Sequence, residues 1–192
     1  MSNSQFTSTL IVPVGFSGSG KTTYYNILQQ KYGDIYRISM DDLRIKFNQK
    51  KFNTLQEAIN DQSSNRTVAM VANKMMWTAL KKGYEYIYLD SMNIKIKSTL
   101  LKVLSTYKDV VIKIIFFTDS LKPELRRKRV AEDIENGEVR ADTTEIISDE
   151  EINLFNKACN ELLNLSPNKN VEFYKRTKVK NKYRTVRINS SS

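Results

Sequence analysis

Four short apolar runs mark the first 120 residues of the chain. They are "STLIVPVG" (8–15), "IYRIS" (35–39), "YEYIYLD" (84–90) and "VVIKIIFF" (110–117). Their length and their content of β-branched and aromatic residues predict strands. The last is apolar at nearly every position, as in a parallel strand covered on both faces. Between the runs, apolar residues recur every three or four positions, which predicts helices over 21–33, 66–82 and 97–107. A further helix is expected over 122–134, with Pro123 in its first turn, and another over 148–165, opened by a capping box of Ser148 and Glu151. Residues 48–65 are polar and read as a mobile loop with a short helix, and 135–143, "ENGEVRADT", as a second loop. Residues 170–188 carry two β-like pieces around a basic centre, either an appended hairpin or a disordered arm.

Strands alternating with helices predict an α/β fold, three layers deep, with helices on both faces of a central parallel sheet. At 192 residues the chain has room for one well-cored domain, expected over 1–168, with 169–192 as a basic C-terminal extension. Hydrophobic residues make up 40% and charged residues 27%, an ordinary globular balance. No apolar run approaches the roughly 20 residues that span a membrane. The start, "MSNSQFTSTL", lacks the basic and apolar stretches of a signal peptide. A soluble cytoplasmic protein without a membrane partner is expected. With no histidine, His-based catalysis and His-ligated zinc are excluded. The one cysteine, Cys159, lies on a helical pattern and reads as a buried small hydrophobe rather than a nucleophile.

The net charge of +10 is unevenly placed. From Lys169 onward there are eight Lys or Arg against one acid, Glu172, so seven of the ten net charges sit there. Such a concentration suggests a polyanionic partner. Phe173, Tyr174 and Tyr183 interleave with these cations, so phosphates and unpaired bases both have something to meet.

The first strand runs into "GFSGSGKTT", where Gly15, Gly20, Lys21 and Thr22 stand at the spacing G-x-x-x-x-G-K-[ST]. A strand before and a helix after make this a phosphate-binding loop. Ser17, Gly18 and Ser19 are small enough for the backbone to turn its N–H groups inward toward phosphate oxygens. Lys21 is expected at the β- and γ-phosphates of ATP, Thr22 on Mg²⁺, and Thr23 beside the nucleotide. Asp90, at the end of the third strand, is the expected second oxygen of the Mg²⁺ site.

"SMDDLR" follows the second strand. Residues past the strand ends of a doubly wound sheet face the ligand crevice. Asp41 there suits a general base for a hydroxyl nucleophile. If a helix begins at this point, Arg44 shares its face and can hold a phosphate or sugar of the acceptor.

"GFSGSGKTT", "SMDDLR", "YLDSMN" and "PELRRKR" occur in the order and at about the spacing of the bacteriophage-type polynucleotide kinase domain, which residues 9–150 resemble. The resemblance implies a P-loop kinase fold with a helical lid. It implies transfer of the γ-phosphate of ATP, with Mg²⁺, to the 5′-hydroxyl of DNA or RNA. It makes Lys21 and Thr22 the phosphate-loop pair, Asp41 the general base, Arg44 the grip on the acceptor and Asp90 the acid after the third strand. The chain departs from the family in three ways. The spacing of the family's two lid arginines is not reproduced, and Arg126, Arg127, Arg129 and Arg140 compete for the role. Arg126 and Arg129 share a face of the expected helix and are assigned to catalysis, and Arg140 to the nucleotide. No phosphatase or ligase module is expected within these 192 residues. The basic tail has no counterpart.

The expected function is therefore phosphorylation of a polynucleotide hydroxyl, most readily a 5′ end, in the host cytoplasm if the chain is phage-encoded. One alternative is a kinase acting on a hydroxymethylated base such as 5-hydroxymethyluracil in phage DNA, which looks similar in sequence. Others are a nucleoside or nucleotide kinase, or a nucleic-acid-binding ATPase without an acceptor.

Overall fold

The computed structural model describes residues 7–16, 18–48, 61–118, 128, 135, 148–179 and 182–188. Six strands form one sheet: β1 (Thr9–Val14), β2 (Tyr36–Ser39), β3 (Tyr86–Asp90), β4 (Val111–Phe117), β5 (Val171–Val179) and β6 (Lys182–Ile188). Their spatial order is β2-β3-β1-β4-β5-β6. The first five run parallel, and β6 returns antiparallel to β5. The expected α/β architecture is the one that forms.

Alternation along the strands sorts side chains onto two faces. Leu10, Val12 and Val14 of β1 join Ile112, Ile114 and Phe116 of β4 in the larger core. The helices on that side are α2 (Met40–Asn48), α3 (Gln62–Lys82), α4 (Lys97–Thr106) and α5 (Asp149–Leu163), which contribute Leu43, Met76, Leu100 and Phe155. Ile11, Tyr88, Ile115 and Phe117 point the other way and are covered by Tyr24, Tyr25 and Leu28 of α1 (Lys21–Tyr32). These are the three layers.

Most helix limits follow the periodicity. α1 ends at Gly33, α3 is stopped at Gly83, and α5 opens on the Ser148–Glu151 capping box. α3 begins at Gln62, a turn earlier than the apolar pattern, because its first turn is polar and Asn65 donates its N–H to Asp61 O at 3.0 Å. The helix expected over 122–134, the loop 135–143 and most of the loop 48–65 lie outside the described residues.

The tail forms the strand pair of its two readings. β5 lies in register with β4, Ile114 opposite Phe173 and Phe117 opposite Arg176. Val171 and Phe173 are buried in the larger core. β4 stops at Phe117 and β5 continues to Val179, so the β5–β6 pair extends roughly 10 Å past the end of β4. That is the edge on which the glycine-rich loop sits.

Candidate active site

Three strand ends meet at this edge. β1 leads into Gly15, where any Cβ would come within 2.8 Å of both Phe117 Cβ and Ser19 Oγ. Only glycine lets the loop pass that close to β4. Gly18 (φ 72°) and Gly20 (φ 90°) take left-handed conformations, and Ser19 N–H donates to Phe16 O at 3.2 Å. The loop thus curls into the first turn of α1, where the helix N-terminus and its dipole favour an anion. Lys21 Nζ donates to Gly15 O at 3.0 Å and Phe16 O at 2.7 Å, so its ammonium lies over the same loop. Tyr88, fully buried in β3, donates its hydroxyl to Lys21 O at 2.7 Å and pins the helix start to the sheet. Burial pushes the Tyr88 phenol well above its ordinary pKa, so it stays a donor.

Thr22 Oγ1 lies 3.4 Å from Asp90 Oδ2. This hydroxyl and carboxylate, of the hard oxygen chemistry that Mg²⁺ selects, fit that ion once nucleotide phosphates complete the shell. Asp90 is buried, and its charge is met by Arg37 from the neighbouring strand, with Nε at 3.0 Å and Nη2 at 2.5 Å from Oδ2. Arg37 Nη1 also faces Asp42 Oδ2 at 3.5 Å, and its guanidinium lies 5.0 Å from the centre of the Tyr25 ring.

β2 ends at Ser39, and α2 starts on the next residue. Buried Ser39 accepts the N–H of Asp42 at 3.1 Å, capping the helix and fixing its direction. Asp41 stands in the first turn, half exposed, with Arg44 Nη1 2.6 Å from its Oδ1. Arg44 Nε donates in turn to Asn65 of α3 at 3.1 Å. Two clusters result: Lys21, Thr22 and Asp90 at the loop, and Asp41 with Arg44 on α2. Arg37 joins them through Asp90 and Asp42.

Thr23 lies on the exposed side of the first turn of α1. Ser17, Arg126, Arg129 and Arg140 lie outside the described residues. Two polar residues at this edge were missed from the sequence. Arg37 had a signal, since a charge inside an otherwise apolar strand needs a partner. Asn93 had less. In a left-handed conformation (φ 56°), it donates its amide to Pro13 O at 2.7 Å and Leu89 O at 2.8 Å. Pairing of β1 with β3 ends at Ile11. Pro13 has no N–H to continue it, and the Asn93 side chain bridges the two strand ends instead.

A family model described as an AAA domain matches residues 10–157. The chain belongs to this AAA domain family. A structure assigned as a kinase is among those of similar fold. One neighbour comes from the PezAT chromosomal toxin–antitoxin system of Streptococcus pneumoniae: TM-score 0.56, 20% identity, 91% of this chain and 69% of that one covered. A second, from Chloroflexus aurantiacus and assigned as a kinase, gives 0.54 and 17% over 79% of this chain and 78% of its own. The Pnkp1/Rnl/Hen1 complex holds a third, at 0.50 and 20% over 67% of this chain and 41% of that one. At these identities the likeness is one of fold. None of the curated proteins matches the AAA domain chain in sequence. Among its described residues, no helix is long and apolar enough to cross a membrane.

Proposed function

We propose that the protein is an ATP-dependent kinase that phosphorylates a hydroxyl of a polynucleotide, most readily the 5′-hydroxyl end. The reading rests above all on the Asp41–Arg44 pair. A carboxylate and a guanidinium stand 2.6 Å apart at the start of α2, one strand away from Asp90 and two from the phosphate loop. Hydrolysis of ATP alone needs no such pair. The basic β5–β6 pair at the same edge supports a polyanionic acceptor.

In this reading the loop amides and Lys21 hold the β- and γ-phosphates. Thr22 and Asp90 would hold Mg²⁺, which would supply charge neutralisation at the phosphates. Asp41 accepts the proton of the attacking hydroxyl, and the oxygen forms its bond to the γ-phosphorus as the bond to the β-phosphate oxygen breaks, leaving ADP. Arg44 holds the acceptor phosphate next to that hydroxyl.

The test is incubation with γ-labelled ATP and a panel of acceptors: 5′-hydroxyl DNA, 5′-hydroxyl RNA, duplex containing a hydroxymethylated base, and free nucleosides. Label on the 5′ ends is expected. Label confined to the modified base or to nucleosides, or released only as phosphate, overturns the reading.

A further inference from the structure

A cavity of about 320 Å³ opens between α3 and the segment that follows β3. Its volume sits at the small end of ligand sites. Ile38 and Leu89, near the ends of β2 and β3, are part of its lining. In open parallel sheets that end of the strands is where ligands bind. Ala69 and Ala72 of α3 line it with their small side chains, and Met40 and Met92 line it as well. Polar groups, Asn73 and Lys95 among them, are also part of its lining.

The cavity adjoins both catalytic clusters. Met40 precedes Asp41, and Ser91, also in the lining, follows Asp90. Asn65, which receives Arg44, lies one turn before Ala69 on the same face of α3. A group attached to a hydroxyl at Asp41 therefore has this cavity beside it.

The lining selects the group. Where alanine and methionine line the cavity, a sugar or phosphate would lose hydrogen bonds to water without replacement. A flat heteroaromatic ring suits it: its faces meet alanine methyls and polarisable sulfur, and its polar edge meets Asn73 and Lys95. We propose that this cavity seats the base of the acceptor nucleotide that carries the reacting hydroxyl. The inference rests on the polynucleotide reading above and adds to it a contact with the terminal base.

The experiment compares two 5′-hydroxyl oligonucleotides of equal length, one ordinary and one with an abasic residue at its 5′ end. With the wild-type protein, kcat/KM is expected to fall roughly 10- to 100-fold for the abasic strand, the range of one stacked base. Ala69→Phe, at an exposed wall position, should lower the ordinary strand to the abasic level and leave the abasic strand unchanged. Binding of a fluorescent ATP analogue and thermal melting should stay as in the wild type. Equal transfer to both strands by the wild-type protein would overturn the cavity proposal and leave the polynucleotide reading standing. No transfer to either strand, with ATP still bound, would overturn both.

Discussion

Arg37 and Thr22 converge on the same oxygen of Asp90, the guanidinium Nη2 at 2.5 Å and the hydroxyl at 3.4 Å. One carboxylate oxygen thus answers to the phosphate loop on one side and to β2 on the other. Because Arg37 also faces Asp42, the position of Asp90 is tied to the start of α2. Replacing Arg37 by Met leaves a buried carboxylate without its cation. The expected loss is about 2–3 kcal/mol of stability, less than for a fully buried pair because Arg37 is itself partly exposed. The double variant Arg37→Met with Asp90→Asn should regain most of that stability in urea titrations and none of the transfer activity. A double variant no more stable than Arg37→Met would show that the pair is not what Arg37 supports.

In the proposed mechanism Asp41→Asn removes the proton acceptor and leaves the loop untouched. Transfer should fall about 10²- to 10⁴-fold, the range of a general base, while ATP binding stays near normal. Single-turnover kinetics with labelled ATP give the number, and near-normal turnover would remove Asp41 from the role.

Lys21→Ala should abolish transfer to every acceptor, since in the proposed mechanism its charge serves the nucleotide common to all of them. Loss with only one acceptor class would place Lys21 elsewhere.

Lys175, Lys182 and Arg184 are exposed, and the β5–β6 register sets them on one face of the pair. Changing all three to Gln should flatten the plot of log affinity against log salt for a single strand by about 2, at roughly 0.7 per lost phosphate contact. The KM for ATP should not move. An unchanged slope would show that this face does not meet the strand. Cutting the chain after Ser166 is no substitute, because it also removes Val171 and Phe173 from the core.

Burial pushes the Cys159 thiol up to about 11. The native thiol should therefore resist alkylation at pH 8, and react quickly in urea. The folded state holds this proton more tightly than the unfolded chain. Its contribution to stability is intact below about pH 9 and declines as the pH rises toward 11. Rapid alkylation under native conditions would contradict this.

The loop, the strands and the place of Asp41 just past β2 were legible because each rests on local spacing: five residues between Gly15 and Lys21, an alternation, an acid following a strand. Arg37 was not, because its meaning lies in Asp90, on a strand 53 residues further along. The tail was legible as two β-like pieces. Its parallel pairing with β4 was not, since β4 and β5 are joined only by the tertiary fold. Arg176 shows the cost of reading charge by count. It contributes to the basic tail, yet it is buried between the rings of Tyr24 and Tyr183, 4.7 and 5.3 Å from their centres. It packs the tail against α1 rather than offering its charge to a strand.

β5 has a consequence for synthesis. The larger core draws on Leu10 and on Phe173, and β5 completes the parallel part of the sheet. A nascent chain still short of residue 171 carries β4 with one edge uncovered and part of its apolar face open. Such an intermediate offers other chains an unpaired edge. Ribosome-stalled chains ending before residue 171 should be cut readily by protease, and chains extended past residue 188 should be protected once the strand pair has cleared the exit tunnel.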